Sequence, residues 1–250
     1  MSAHIADLQS RRGDYGIDAP AWLVVLALFA VGWTVVAVVL GMLGASGFLV
    51  AVAAVLAASQ FASTGLYLYT TRAGKFAVWV DLLSGLELRG DERLIDLGCG
   101  RGAVLLMAAK LLPRGRAVGV DLWKSIDQSG NDPAATEANA RREGVADRVE
   151  LRTADITDLP FEDASFDVVV SSMAIHNITD AGARRKAVTE AARVLRPGGR
   201  MVVVDFQHTP AYASTLRELG LTAIEERALG WRVWYGGPWV AARLLTATRP

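Results

Sequence analysis

"LIDLGCGRG", residues 94–102, decides how this chain folds. A short apolar run carrying one acid, Asp96, ends in three glycines spaced two apart, Gly98, Gly100 and Gly102. The run reads as a buried strand, and the glycines as a sharp turn whose bare backbone can come close to a ligand. The helix expected from Ala103 would aim its unpaired N–H groups into the same space.

Outward from this stretch the chain alternates. "RAVGVDL", "VELRTAD", "FDVVVSS" and "RMVVVDF" read as four more strands. Between them, "AVLLMAAKLL", "DPAATEANARREG" and "AGARRKAVTEAARVL" read as helices, the middle one with Asp132 as cap, Pro133 in its first turn and Gly144 at its end. "RPGG" stops the last helix. "LTAIEERAL" and "WVAARLLTAT", joined through the aromatic turn "GWRVWYGGP", predict a closing strand hairpin. Such alternation implies right-handed crossovers, so the expectation is an α/β, doubly wound, seven-stranded and mostly parallel sheet.

Composition narrows the function. The 26 basic and 26 acidic residues give zero net charge, and no Lys/Arg run breaks the balance, which argues against a nucleic-acid partner. Cys99 is the only cysteine, which excludes an internal disulfide and a thiolate-rich metal site. The apolar fraction of 52% is high, and the excess lies near the N-terminus.

There, Ala21–Leu43 and Gly47–Tyr69 are uncharged stretches of 23 residues each. As helices they are long enough to cross a hydrocarbon core of ~30 Å. Gly44, Ser46 and Gly47 would make the turn, so residues 21–70 read as a transmembrane helical hairpin after a tail, 1–20. Arg11 and Arg12 precede the first span, and Arg72 and Lys75 follow the second. By the positive-inside tendency both ends, and the domain over 71–250, lie in the cytoplasm of an inner-membrane protein. Ser59, Gln60, Ser63 and Thr64 make the second span the more polar one. His4 reads as a solvated tail residue.

Ligands of open parallel sheets bind beyond the carboxyl ends of the strands. Asp121 ends the second strand about twenty residues past the glycine loop, where a carboxylate accepts from ribose hydroxyls. Asp155 ends the third, suited to an adenine amine, with Ile156 against the ring. Asp96 would repel a pyrophosphate but suits a cation, and the loop is G-x-G-x-G, not the dinucleotide G-x-G-x-x-G. The combination favours a nucleoside ligand that is not a dinucleotide.

"LIDLGCGRG", "GVDLW", "TADITDLPF", "FDVVVSSMAIHNI" and "RVLRPGG" together resemble the ordered motifs of class I S-adenosylmethionine-dependent methyltransferases. The resemblance covers residues 75–250 and points to the branch containing ubiquinone/menaquinone and sterol methyltransferases. It implies a Rossmann-like methyltransferase fold and S-adenosylmethionine as cofactor. It places Gly98, Cys99, Gly100 and Gly102 along the methionine part and Asp96 near its amino group. Asp121 would hold the ribose, Leu122 or Trp123 would pack on the adenine, and Asp155 with Ile156 would fix its edge. Ser171 and Ser172 would face the methionine end. Cys99 reads as a small loop residue and not a nucleophile.

A dedicated base is needed where the methylated group is a hydroxyl or a carbon acid. His176 in "SMAIHNI" is the candidate base or substrate contact, with Asn177 beside it, and His208 after the fifth strand is a second substrate candidate. Asp205 with these histidines lacks a diagnostic metal spacing, and no metal is expected. The aromatic segments "GLYLYTTRAGKFAVW" and "GWRVWYGGPW" suggest a membrane-facing site and a lipophilic acceptor. Two other functions fit the same motifs less well: a catalytically silent, membrane-tethered cofactor-binding scaffold, and an NAD-type oxidoreductase.

Overall fold

The computed structural model describes residues 8–250; His4 lies outside them. The two uncharged stretches form helices α1 (Pro20–Met42) and α2 (Gly47–Tyr69), packed as a hairpin. Their contact is made by small residues, with Ala30, Ala53 and Ala57 buried, so the backbones approach closely. Leucines, valines and phenylalanines face outward all round, Leu28 and Phe48 among them. Both helices are long and apolar enough to cross a membrane.

A π-helical turn, Thr70–Gly74, carries α2 straight into α3 (Lys75–Gly85), so the hairpin continues into the domain without a flexible linker. The domain then alternates as the pattern predicts: β1 (Arg93–Leu97), α4 (Ala103–Lys110), β2 (Arg116–Asp121), α5 (Pro133–Glu143), β3 (Val149–Thr153), β4 (Phe166–Ser172), α6 (Ala181–Val194) and β5 (Leu195–Asp205). Helix α5 is capped as expected: Asp132 accepts from the Ala134 N–H at 2.7 Å, and Gly144 is left-handed. The "RPGG" segment does not separate helix from strand. It is taken into β5 as an irregularity, between the pairings Phe166 to Leu195 and Val168 to Arg200.

Helix α7 (Thr209–Glu218) follows β5 and lies outside the sequence expectation; then β6 (Thr222–Ala228) and β7 (Arg243–Thr248) close the chain as an antiparallel pair. The sheet order is β3-β2-β1-β4-β5-β7-β6, parallel except that β7 runs against both β5 and β6. Side chains alternate to two cores. Leu94, Val168, Val170, Val202 and Val204 pack under α3 and α4, and Ile95, Leu97, Val169, Met201 and Val203 pack under α6 and α7. The order reverses at β1, with β2 on one side and β4 on the other, and this crevice is where the glycine loop sits.

The segment before α1 is a structured strap. Leu8 and Tyr15 are buried, and Glu143 accepts from the N–H groups of Arg12 and Gly13 and from the Tyr15 hydroxyl. Lys110, buried, lies 2.8 Å from the same carboxylate. Asp14 pairs with Arg101 at 2.9 Å, next to the glycine loop.

Candidate functional site

A cavity of about 360 Å³ lies over the carboxyl ends of β1, β2 and β4. Of the predicted residues, Asp96, Gly98, Cys99, Gly100, Asp121, Leu122, Asp155, Ile156, Ser172 and Asn177 line it. Gly98, Gly100 and Gly102 have φ of +75°, +50° and +85°, a region costly to residues with a Cβ. A Cβ on Gly98 would stand 2.2 Å from that of Ala174, and one on Gly100 would stand 2.5 Å from Gln128 Oε1. The glycines therefore admit neighbouring protein as well as opening the cavity. Gln128 accepts from the Arg101 N–H and donates to Asp18, tying the loop to the strap.

Asp121 accepts from the N–H groups of Gly100 (2.8 Å) and Trp123 (2.6 Å), which fixes the carboxylate at the cavity edge. Asp155 makes a local turn by accepting from the Thr157 N–H. Asp96 is different in kind. It is 1% exposed, and its Oδ1 has no hydrogen-bond partner among the described residues. Burial, and then the Asp121 charge, push its carboxyl up to about 8. Burial also raises the Cys99 thiol well above its ordinary value, with Asp96 and Asp121 adding to it, which fits an inert thiol.

Four predicted residues stand elsewhere. Trp123 does not line the cavity, its indole donating to Thr153 at 2.8 Å, which leaves Leu122, just past β2, as the one of the pair that does. Ser171 is buried and donates to the Leu97 carbonyl, so Ser172 alone of the pair reaches the cavity. Gly102 caps α4 between Leu106 and Thr136. His208 caps α7, exposed, and lines neither this cavity nor the next.

His176 belongs to a second cavity of about 450 Å³, which shares Asp18, Asp127, Met173, Asn177 and Tyr235 with the first. Its backbone N–H donates to Asp205 Oδ2, and its Nδ1 lies 2.6 Å from Asp205 Oδ1, a close contact without hydrogen-bond geometry. Asp205 is fully buried and also accepts from the Phe206 N–H. With Nδ1 turned to Asp205, Nε2 is the ring nitrogen left for a partner in the cavity that His176 lines. Trp22 from the first turn of α1 and Tyr67 from the last turn of α2 line the same cavity. The two cavities are thus contiguous, one ringed by carboxylates and the other walled by aromatic rings and the base of the hairpin. Trp123, Met173 and His208, just past β2, β4 and β5, all have positive φ, so non-glycine strain gathers at this edge of the sheet.

Sequence reasoning missed Asp18 and Lys75, paired at 2.7 Å on the cavity wall. It also missed Gln128 and Tyr235. No local pattern marks them: Asp18, Lys75 and Tyr235 reach the site from segments remote in sequence, and Gln128 from the irregular stretch after β2.

Residues 95–203 match the family described as a methyltransferase domain. The chain is 37% identical over 149 residues to 27-O-demethylrifamycin SV methyltransferase of Amycolatopsis mediterranei, covering 56% of this chain and 50% of that one. It is 34% identical over 155 residues to the ubiquinone/menaquinone biosynthesis C-methyltransferase UbiE of Dinoroseobacter shibae, covering 57% and 58%. The chain therefore spans about half the length of the curated relatives it matches. Among solved structures, geranyl diphosphate C-methyltransferase from Streptomyces coelicolor, in complex with Mg2+, geranyl diphosphate and S-adenosyl-L-homocysteine, superposes with a TM-score of 0.57. At 18% identity over 70% of this chain and 79% of that one, the likeness is one of fold. The part of the chain that builds the glycine-loop cavity is similar in sequence to methyltransferase domains and shares their fold.

Proposed function

We propose that this protein is an S-adenosylmethionine-dependent methyltransferase, anchored in a membrane by the α1–α2 hairpin and acting on a lipophilic acceptor. The observation that carries the reading is the junction of the two cavities: the carboxylate-ringed one fits the cofactor, and the other is built partly from the hairpin. The unpartnered Asp96 Oδ1 fits the cofactor's ammonium group, which would bring a donor to a buried carboxyl oxygen that has none. Asp121 would hold the ribose, Leu122 and Ile156 would pack on the adenine, and Asp155 would meet its edge. When bound, S-adenosylmethionine supplies an electrophilic methyl group on its sulfonium.

The chain's own residues then orient the acceptor and exclude water. His176, held against Asp205, takes the acceptor's proton at Nε2 as the nucleophile forms. This role suits a hydroxyl or an acidic carbon better than an amine. The acceptor lies against Trp22, Tyr67 and Phe206, surfaces that favour a flat or branched apolar molecule.

Calorimetric titration with S-adenosylmethionine and S-adenosylhomocysteine, alongside Asp121→Ala, tests the cofactor. Saturable binding that is lost in the variant is expected; binding of NADH in its place would return the loop to a dinucleotide. Replacing the outward-facing Leu28, Val35 and Phe48 of the hairpin by polar residues tests the anchor while leaving the cavity walls in place: turnover on membrane-derived acceptors should fall, and unchanged turnover on all of them counts against the reading.

A further inference from the structure

The aromatic loop between β6 and β7 does not stay at the base of the hairpin. Ser63, six residues before the end of α2, donates its hydroxyl to the Gly236 carbonyl. A Cβ on Gly236 would lie 3.0 Å from Ser63 Oγ and 3.3 Å from Leu26 Cδ1, and Leu26 is six residues into α1. At 1.5 Å per residue the loop therefore climbs ~9 Å along the hairpin. Below that point Thr70 donates to the Trp234 carbonyl, and Tyr69 stacks on Trp231 with ring centroids 5.0 Å apart. The close passage is written into the helix at Gly74, where a Cβ would collide with the Arg232 carbonyl.

The loop is made for an apolar setting. Among residues 229–242 only Arg232 is charged, and it pairs with Asp81 at 3.1 Å. The N–H groups of Val233, Trp234, Tyr235, Gly236, Val240 and Ala242 all donate to carbonyls within the loop. Such internal closure is what irregular backbone needs where water is scarce. Yet Trp239 is 77% exposed and Trp231 55% exposed. Ser63 and Thr70, polar residues at the end of an apolar helix, find their partners in this loop.

From these contacts we infer that the loop Leu229–Ala242 is a membrane-inserted element, seated in the interfacial layer of the same bilayer that the hairpin crosses. The inference rests on the hairpin being a membrane anchor and deepens it. Its depth of ~9 Å matches the ~5–10 Å reached by interfacial apolar faces, and tryptophan favours that layer. Tyr235 and Val240 of the loop line the acceptor cavity with Trp22 and Tyr67. The cavity therefore opens sideways into the headgroup and upper acyl region, and the acceptor reaches it by lateral diffusion, without crossing water.

Spin-label accessibility in phosphatidylcholine/phosphatidylglycerol vesicles tests this with the full chain. Cys99, the sole native thiol, is buried, so labels report introduced sites. Trp239→Cys and Trp231→Cys probe the loop, Arg142→Cys on exposed α5 reports water, and Ser46→Cys at the hairpin turn reports the span. The expected result is that collision with lipid-dissolved oxygen exceeds collision with an aqueous nickel complex at 239, the reverse holds at 142, and an impermeant maleimide reaches 46 and 142 from opposite faces. Opposite faces for 46 and 142 with both loop labels open to the nickel complex would overturn the inserted loop and leave the anchor standing. Labelling of 46 and 142 from the same face would overturn the anchor and the inference with it.

Discussion

Acidification should weaken cofactor binding before it harms the fold, and Asp96 is the reason. In the ligand-free protein its carboxyl is pushed up to about 8, first by burial and then by the Asp121 charge. Binding an ammonium group needs the carboxylate. At pH 7 only about one molecule in ten carries it, a penalty of about 1 kcal/mol, and at pH 6 the penalty is roughly twice that. The Kd for S-adenosylmethionine should therefore rise roughly tenfold for each unit of acidification between pH 7.5 and 6. Above about 8 the ligand's own amine sheds its proton, so affinity turns over there. Asp96→Asn keeps the shape but cannot ionise; it should bind weakly and with no pH slope across this window. Calorimetry in buffers of differing ionisation enthalpy also counts the proton released. A wild-type Kd constant between pH 6 and 7.5, or an equal slope in the variant, would refute the reasoning.

The same group sets a stability trend in the ligand-free protein. Its folded value lies above the ordinary carboxyl value of 3.8, so the folded state binds the extra proton, and stability falls as pH rises from about 4 to about 8. Thermal melts of Asp96→Asn should lack that fall; a parallel decline in both proteins would argue against it. Gly98→Ala forces a left-handed alanine and a contact with Ala174, costing ~2–5 kcal/mol, and a denaturation midpoint within error of wild type would contradict the packing. Asp205→Asn should cut methyl incorporation ~10²–10⁴-fold while leaving the cofactor Kd unchanged, whereas full activity would remove His176 as the base. Glu143→Ala strips the strap of the acceptor shared by the Arg12 and Gly13 N–H groups and the Tyr15 hydroxyl, about 1–3 kcal/mol, so trypsin should cut at Arg11 and Arg12 much sooner than in wild type.

Much of this architecture is legible because it is local and periodic. The strand runs, the Asp132 cap and the glycine spacing each announce themselves within a dozen residues, and the two uncharged stretches do so by length alone. The cofactor cavity follows from topology, since Asp96, Asp121 and Asp155 each end a strand on the same edge. Side-chain direction is less legible: nothing local separates Leu122 from Trp123, or Ser172 from Ser171, and in each pair the fold turns only the first-named to the cavity. Long-range partners are not legible at all. The strap is ordered by Glu143 and Asn139, more than a hundred residues away, and so reads as a tail. His176 and Asp205 meet because β4 and β5 are neighbours, a fact of the sheet order that no spacing rule encodes.

Methyl transfer to an acceptor drawn from the membrane is tested most directly by supplying the purified full chain, in vesicles doped with total bacterial lipid extract, with S-adenosylmethionine radiolabelled on its methyl group. Label is expected in the organic phase with the wild type, and background levels with Asp121→Ala and with His176→Ala. Label that stays in the aqueous phase, with cofactor bound and consumed on a water-soluble acceptor, would contradict a membrane acceptor.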